Sequence, residues 1–145
     1  MGLKRHLTGV AKRLFSIADA VEVAQNMRLF TTGADAVEVA PNMRLLFTSG
    51  TPGVLEDGSL PAGIEAQTMQ AWANVAAALS VAEMGLEDVV KATATLKHAE
   101  DVAAYAAARN AFFGDTPKPA AHLLTGDMVR SEILVEVEVV AAKAP

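Results

Sequence analysis

The clearest alternation of hydrophobic and polar positions lies near the C-terminus, from Ile133 to Ala141. Apolar side chains occupy every second position of this segment: Ile133, Val135, Val137, Val139 and Ala141. A period of two is typical of a β-strand, and branched side chains suit a pleated sheet. Glu136 and Glu138 therefore share the other face of the strand. The spacing leaves two interpretations open: this face is exposed to solvent without a further role, or it carries a catalytic carboxylate.

A helical period replaces this alternation from Ile64 to Met84, and Gly85 then favours a helix end. The apolar positions at helical spacing are Ala66, Met69, Ala73, Ala76, Ala77 and Val81. We interpret Met69 and Trp72 as core residues, because bulky apolar side chains on a helix pack in a core more often than they bind a cofactor.

A second strand and a second helix follow. Val89 to Leu96, VVKATATL, is strand-like, and the next helix ends near Phe113 and Gly114. The side chains expected to face the sheet from this helix are Val102, Tyr105, Ala106, Arg109 and Phe112 or Phe113. We interpret His98, in the polar join between the two elements, as a surface residue.

These elements predict an α+β fold, a mixed β-sheet with two helices packed on one face. The chain has 145 residues, which suits one domain with one core. With 52% hydrophobic residues, a lone protomer is expected to leave the second face of the sheet apolar and uncovered. Such a face indicates an interface.

The N-terminal third contains a near-duplication. ADAVEVAQNMRLFTTG, at Ala18 to Gly33, is followed directly by ADAVEVAPNMRLLFTSG, at Ala34 to Gly50. The runs AVEVA and RLLF have β-type composition and the steps between them are turn-like, which predicts a meander. The repeat stops too early for a solenoid. We interpret residues 1–27 as an extension, either an edge hairpin or a loosely attached arm.

Charge and composition exclude several classes of function. The first seventeen residues carry four basic side chains and no acidic one, so the rest of the chain holds all 17 carboxylates against eight Lys and Arg. An acidic body is a poor partner for nucleic acid. There is no Cys and the three His lack metal-ligand spacing, so neither a metal nor a cofactor is expected. No membrane segment is evident, and we expect a cytoplasmic protein.

Five motifs, in order between Met27 and Ala142, resemble the Rid family, also called YjgF/UK114. They are LLFTSGTPG, AQTMQAWANV, MGLEDVVKATATL, YAAARNAFFG, and the C-terminal prolines followed by VEVEV. The resemblance implies a chorismate-mutase-like fold for residues 28–145, assembled as a homotrimer with a cleft between neighbouring subunits. It also implies hydrolysis of reactive enamines and imines from pyridoxal-phosphate enzymes, with an arginine that binds the substrate carboxylate.

The chain departs from the family pattern at that arginine. Aligning back from Glu136 places Ala121 at the arginine position, and Ala106 stands where many members have asparagine. Alanine supplies neither the charge nor the donors of a bidentate arginine pair. Arg130 and Lys118 are nearby in sequence and are candidates to substitute.

Two classes of function remain open. In the first, an imine hydrolase, Glu136 activates water, while Ser49, Gly50 and backbone groups near Leu123 hold the substrate. In the second, a non-catalytic small-molecule-binding or regulatory trimer keeps the cleft without the chemistry. A ribonuclease or translation inhibitor, a label that some relatives bear, fits poorly because the acidic body lacks a stripe of basic and aromatic residues.

His122 is a second catalytic candidate. In Rid-like folds the strand that Pro119 begins is expected to pair beside the strand that carries Glu136, so that His122 and Glu136 face one cleft. His122 follows the arginine position directly, and neighbours in a strand point to opposite faces, so this requires a bulge or a register shift. The alternative is that His122 points into the trimer interior or to solvent.

Overall fold

The computed structural model describes residues 4–6, 34 and 36–145, the first of these by their backbone alone. The strands are β1 (Lys4–His6), β2 (Ala36–Glu38), β3 (Arg44–Phe47), β4 (Thr51–Pro52), β5 (Val89–Leu96), β6 (Ala120–Thr125) and β7 (Val135–Lys143), and the helices are α1 (Ile64–Val81) and α2 (Val102–Phe113). The first copy of the repeat, Ala18–Gly33, and most of the proposed extension, residues 1–27, lie outside the described residues.

The strands form two sheets. β1 and β2 pair with each other, and the other five strands form a mixed sheet in the order β3–β7–β5–β6, with β4 also paired to β7. Among the described strand pairs, β5 and β6 alone run parallel. α2 connects them, and such a crossover places the helix on a face of the sheet. The predicted α+β fold is confirmed. The expected meander is not formed by the second copy of the repeat, because β2 pairs with β1 and β3 pairs with β7.

The core lies between the helices and β7. Val135, Val137 and Val139 are buried, as their alternation predicts. On the helix layer, the rings of Trp72 and Phe113 meet edge to face, with centroids 4.8 Å apart and an interplanar angle of 83°. This is the favoured geometry for two aromatic rings in a core. The interpretation of Trp72 as a core residue is confirmed.

The face that α1 buries differs from the predicted one. Met69 is 41% exposed and Val81 is 88% exposed. The buried residues of the helix are instead Gln67, Thr68, Ala71, Trp72, Val75 and Leu79. Alanines surround this helix on nearly every side, so apolar spacing alone does not select a face. The large side chains decide it, because they remove the most apolar surface from water.

α1 also ends earlier than predicted, at Val81. Glu83 adopts a left-handed conformation with φ 57 and reverses the chain. Basic side chains from the sheet then bind the carbonyls beyond the helix end. Arg44 Nη2 donates to the Ala82 carbonyl at 2.7 Å and Lys143 Nζ donates to the Glu83 carbonyl at 2.6 Å. Cations are favourable at this end of a helix.

α2 ends at Phe113, as predicted, and Gly114 follows it with φ 52. Its residues Tyr105, Ala106 and Arg109 are buried, which confirms the predicted inward face. Burial raises the pKa of Tyr105, while the nearby Arg109 charge acts in the opposite direction. Neither described helix is long and apolar enough to cross a membrane.

A buried polar side chain, Gln67, fixes the loop that precedes β7. It is 3% exposed. Its Nε2 donates to the Glu132 carbonyl at 3.0 Å and to the Pro61 carbonyl at 3.2 Å, and its Oε1 accepts from the Leu134 N–H at 2.8 Å. One side chain therefore satisfies three backbone groups and sets where β7 begins.

We predict that Gln67→Leu lowers the free energy of unfolding by about 1–3 kcal/mol, because backbone groups then lose their partners at nearly constant side-chain volume. Urea denaturation measures this. Met69→Leu on the exposed side of the same helix is the control, with an expected change within about 0.5 kcal/mol. Equal losses in the two variants would contradict the bridging role of Gln67.

Candidate functional site

The face of the five-stranded sheet that lies away from the helices is called here the open face. On β7 and β5, the residues that alternate with the buried ones point to this face. They are paired across the two strands, Glu138 with Thr93 and Glu136 with Thr95. The open face comprises Lys91, Thr93, Thr95, His122, Leu124, Glu136, Glu138, Val140 and Phe47. Phe47 is 69% exposed. Among the described residues, this face exposes apolar side chains, as the sequence predicts.

Two of the candidate site residues, Gly50 and Glu136, lie together on this face. A Cβ atom added to Gly50 would lie 3.3 Å from Glu136 Oε1 and 3.5 Å from its carboxyl carbon. The absence of a side chain at Gly50 therefore leaves the space that the carboxylate occupies. Glu136 is half-buried, and its Cα partners are Thr95 on β5 and Pro52 on β4.

The turn that carries Gly50 is fixed to β7. The Thr48 N–H donates to the Val139 carbonyl at 3.0 Å, and the Val139 N–H donates to Thr48 Oγ1 at 2.9 Å. Beyond these contacts, Thr51 Oγ1 donates to the carbonyl of Ser49 at 2.9 Å. Ser49 is exposed and adjoins Gly50. The hydroxyl-rich composition of the turn thus holds Gly50 against the strand that carries the carboxylate.

His122 lies on the open face in regular pairing, although not beside Glu136. Its Cα partner is Thr93 on β5, and Thr93 in turn is opposite Glu138 on β7. The expectation that the strand after Pro119 pairs with the Glu136 strand is wrong, because β5 lies between them. No bulge is needed for His122 to reach this face. The side chain of His122 is exposed.

Ala121 and Leu123 point to the other side of the sheet. Their Cα partners are Ala92 and Ala94, which are both 3% exposed core residues. Leu123 packs against the core. The Ala121 side chain therefore does not share a face with Glu136 within the chain. Among the described strands β6 lies at the edge of the sheet, so backbone groups along its outer side are placed to meet a partner.

The two cations considered as substitutes for the arginine contact their own chain. Lys118 Nζ donates to the Gly114 carbonyl at 3.2 Å, at the end of α2. Arg130 lies 3.7 Å from Glu132 and 3.5 Å from the Gly58 carbonyl. The pKa of Glu132 is lowered, first by its own backbone N–H, then by the Ser131 hydroxyl, and also by Arg130.

One feature of the open face was missed by sequence reasoning. A shallow concavity of about 130 Å³ is lined by Phe47, Thr48, Lys91, Thr93, Glu138, Val139 and Val140. The alternation in VVKATATL does place Lys91 and Thr93 on one face. Sequence alone could not bring β3 to this place, since the pairing of β3 with β7 joins distant segments.

The two glycines of this turn should respond differently to a methyl group. Gly53→Ala is expected to lower the free energy of unfolding by about 2 kcal/mol or more, because the new Cβ would lie 2.9 Å from Gln67 Cα and overlap its carbonyl. At Gly50 the methyl group would meet only the end of the Glu136 side chain, and the expected loss is within about 0.5 kcal/mol.

Urea denaturation of both variants measures the losses, and a crystal structure of the Gly50→Ala protein should show the Glu136 carboxylate displaced. A large loss of stability for Gly50→Ala, or a Glu136 carboxylate that has not moved, would contradict the conclusion that only the Glu136 carboxylate lies beside Gly50.

The chain was compared with known proteins. Residues 22–143 match the family model described as endoribonuclease L-PSP. No curated protein matches the chain significantly. Among solved structures, the Rid-family protein YyfB of Yersinia pestis superposes with a TM-score of 0.70 at 27% identity, covering 79% of this chain and 89% of that one.

Two further structures are similar. Escherichia coli YjgF has a TM-score of 0.66 at 27% identity, with 76% of this chain and 87% of that one covered. RidA from an Antarctic Psychrobacter bacterium has a TM-score of 0.64 at 28% identity, with 78% and 89% covered. The resemblance found in the five sequence motifs is confirmed, and the chain belongs to the endoribonuclease L-PSP family, the family of the Rid and YjgF proteins.

Proposed function

We propose that the protein is a Rid-type hydrolase of small imines and enamines, or a divergent relative that acts on a small metabolite, with Glu136 as its base. The observation that carries this proposal is the apposition of Glu136 and Gly50. The half-buried Glu136 carboxylate lies against a glycine of an exposed turn, where no side chain stands between it and the backbone. A carboxylate held in place in this way can act as a general base towards a water molecule that reaches it from the turn.

In the proposed reaction Glu136 moves protons from oxygen to nitrogen. Its carboxylate takes a proton from water as the water oxygen attacks the imine carbon, and it passes that proton to the imine nitrogen, which gives a neutral carbinolamine. The carboxylate then takes the hydroxyl proton of the carbinolamine and delivers it to the amino nitrogen as the C–N bond breaks, which leaves a carbonyl compound, ammonia and the regenerated carboxylate. Proton transfer by a positioned side chain contributes about 10²- to 10⁴-fold to a rate. Ser49 and backbone N–H groups of its turn are the proposed donors to the substrate.

The proposed active assembly is a homotrimer. The open face exposes apolar side chains beside carboxylates, and β6 presents an unshared edge among the described strands. A neighbouring copy that covers this face would also bring backbone groups near Leu123 towards the Glu136 of another subunit. The cleft would then be completed by two subunits.

A second candidate function is a small-molecule-binding or regulatory trimer without catalysis. The observation that favours it is Ala121, whose side chain lies on the core side and carries no charge. Without a cation at that position, 2-imino acids such as 2-aminoacrylate should be poor substrates, and an uncharged imine should be preferred.

We do not propose RNA cleavage, although the family description names an endoribonuclease. The net charge is −5, and the described open face carries two carboxylates against one lysine. Affinity for RNA begins with phosphate neutralisation, which such a face disfavours. The cytoplasmic location, and the absence of a cofactor, remain predictions.

Glu136→Gln should reduce imine hydrolysis about 100-fold or more, because the amide cannot accept the proton from water. Ammonia release from imines generated in situ, one charged and one uncharged, measures this. Glu65→Gln on α1 is the matched control and should keep full activity. His122→Ala, assayed in parallel, tests whether His122 acts with Glu136.

An unchanged rate for Glu136→Gln would exclude Glu136 as the base. No measurable turnover of either imine by the parent protein, with a ligand still bound, would favour the binding module.

Light scattering should give the mass of three chains at micromolar concentration, because contact with neighbouring subunits would remove the exposed apolar side chains of the open face from water. Phe47→Glu should lower that mass, since it places a charge where a neighbour must pack. A stable monomer of the parent protein would contradict both the interface and a cleft between subunits.

A further inference from the structure

The basic side chains of the described chain share an unusual pattern. Residues 36–145 contain seven Lys and Arg. Six of them donate hydrogen bonds to their own chain: Arg44, Lys97, Arg109, Lys118, Arg130 and Lys143. Within the described residues Lys91 is the one cation with no such contact. Its side chain is exposed and lines the concavity of the open face.

A carboxylate lies across the same concavity. Lys91 is opposite Val140, and Glu138 is opposite Thr93, so Lys91 and Glu138 are diagonal neighbours on adjacent strands. Their Cα atoms are about 7–8 Å apart by sheet geometry. In the part of the chain that the structure describes, the two charges form no ion pair with each other or with a third group.

We propose that this concavity binds a small zwitterion of the amino-acid class. Lys91 binds the ligand carboxylate, and Glu138 binds the ligand ammonium group. Two opposite charges that flank a gap, rather than meeting in it, are complementary to a molecule that carries an ammonium group and a carboxylate group on one carbon atom. Charge-assisted hydrogen bonds of this kind are the strong ones in ligand recognition.

The walls and the volume of the concavity fit the same class of ligand. Thr93 lies opposite Glu138 and two residues from Lys91 along β5, and Phe47 also lines the concavity. An aromatic ring in such a wall favours a bound ammonium group. The concavity has a volume of about 130 Å³, which holds several waters and therefore the backbone of a small amino acid such as glycine, alanine or serine.

This site goes beyond the proposed function and does not depend on it. Lys91 and Glu138 lie on the Phe47 side of the open face, whereas Glu136 lies two residues along β7, beside Gly50. Binding at Lys91 and Glu138 requires neither hydrolysis nor an arginine at position 121. A subunit that covers the open face would close over the bound ligand.

Isothermal titration of the full chain with glycine, alanine, propionate and ethylamine tests the proposal. Glycine and alanine should bind, and propionate and ethylamine should bind at least about tenfold more weakly, because each lacks one charge. Lys91→Met and Glu138→Gln should each weaken alanine binding by about tenfold or more. Lys97 lies outside the concavity, so Lys97→Gln should leave the affinity for alanine unchanged.

Glu136→Gln should also keep alanine binding, which separates this site from the proposed catalytic one. The proposal is overturned if no amino acid binds at millimolar concentration, or if Glu136→Gln abolishes binding while Lys91→Met does not. It is also overturned if light scattering shows that Lys91→Met and Glu138→Gln change only the mass of the assembly. Lys91 and Glu138 would then be contacts between subunits.

Discussion

The strand β7 is the constraint on which the rest of the structure depends. It pairs with β3, β4 and β5, and its strict alternation divides the molecule into two sides. Val135, Val137 and Val139 face the helices and form the floor of the core. The residues between them must point the other way, so the hydrophobic effect that buries the valines also fixes the direction of the two carboxylates. The alternation of residues along β7 therefore determines both the buried core and the position of the candidate site.

The candidate site next to β7 depends on two glycines, whose lack of a side chain lets other groups approach closely, as well as on its carboxylate. Gly53 lets the chain approach the backbone of α1 at Gln67, and Gly50 leaves the space that the Glu136 carboxylate occupies. Thr48 ties the intervening backbone to β7 through two hydrogen bonds. Because Gln67 also anchors the loop before β7, the same helix residue supports the strand and the turn that meet at the carboxylate.

Within residues 36–145, all Lys and Arg side chains except Lys91 hydrogen-bond to their own chain. Arg44 and Lys143 bind carbonyls beyond the end of α1, and Lys118 does the same for α2. Position 121 is alanine, and the two cations nearest to it in sequence bind backbone carbonyls: Lys118 that of Gly114, and Arg130 that of Gly58. Among the described residues, the open face carries two carboxylates, Glu136 and Glu138, and one lysine, Lys91. This balance of charge disfavours ligands with a large negative charge.

The sequence by itself determined the local features. The period of two in β7 and VVKATATL predicted two strands correctly, and Gly114 marked the end of α2, because these signals act between residues close in the chain. Tertiary structure decided the face of α1, since its many alanines make all sides similarly apolar and only packing of the large side chains selects one. It also decided that β5 separates His122 from the Glu136 strand, because strand order depends on pairing between distant segments, which no local pattern encodes.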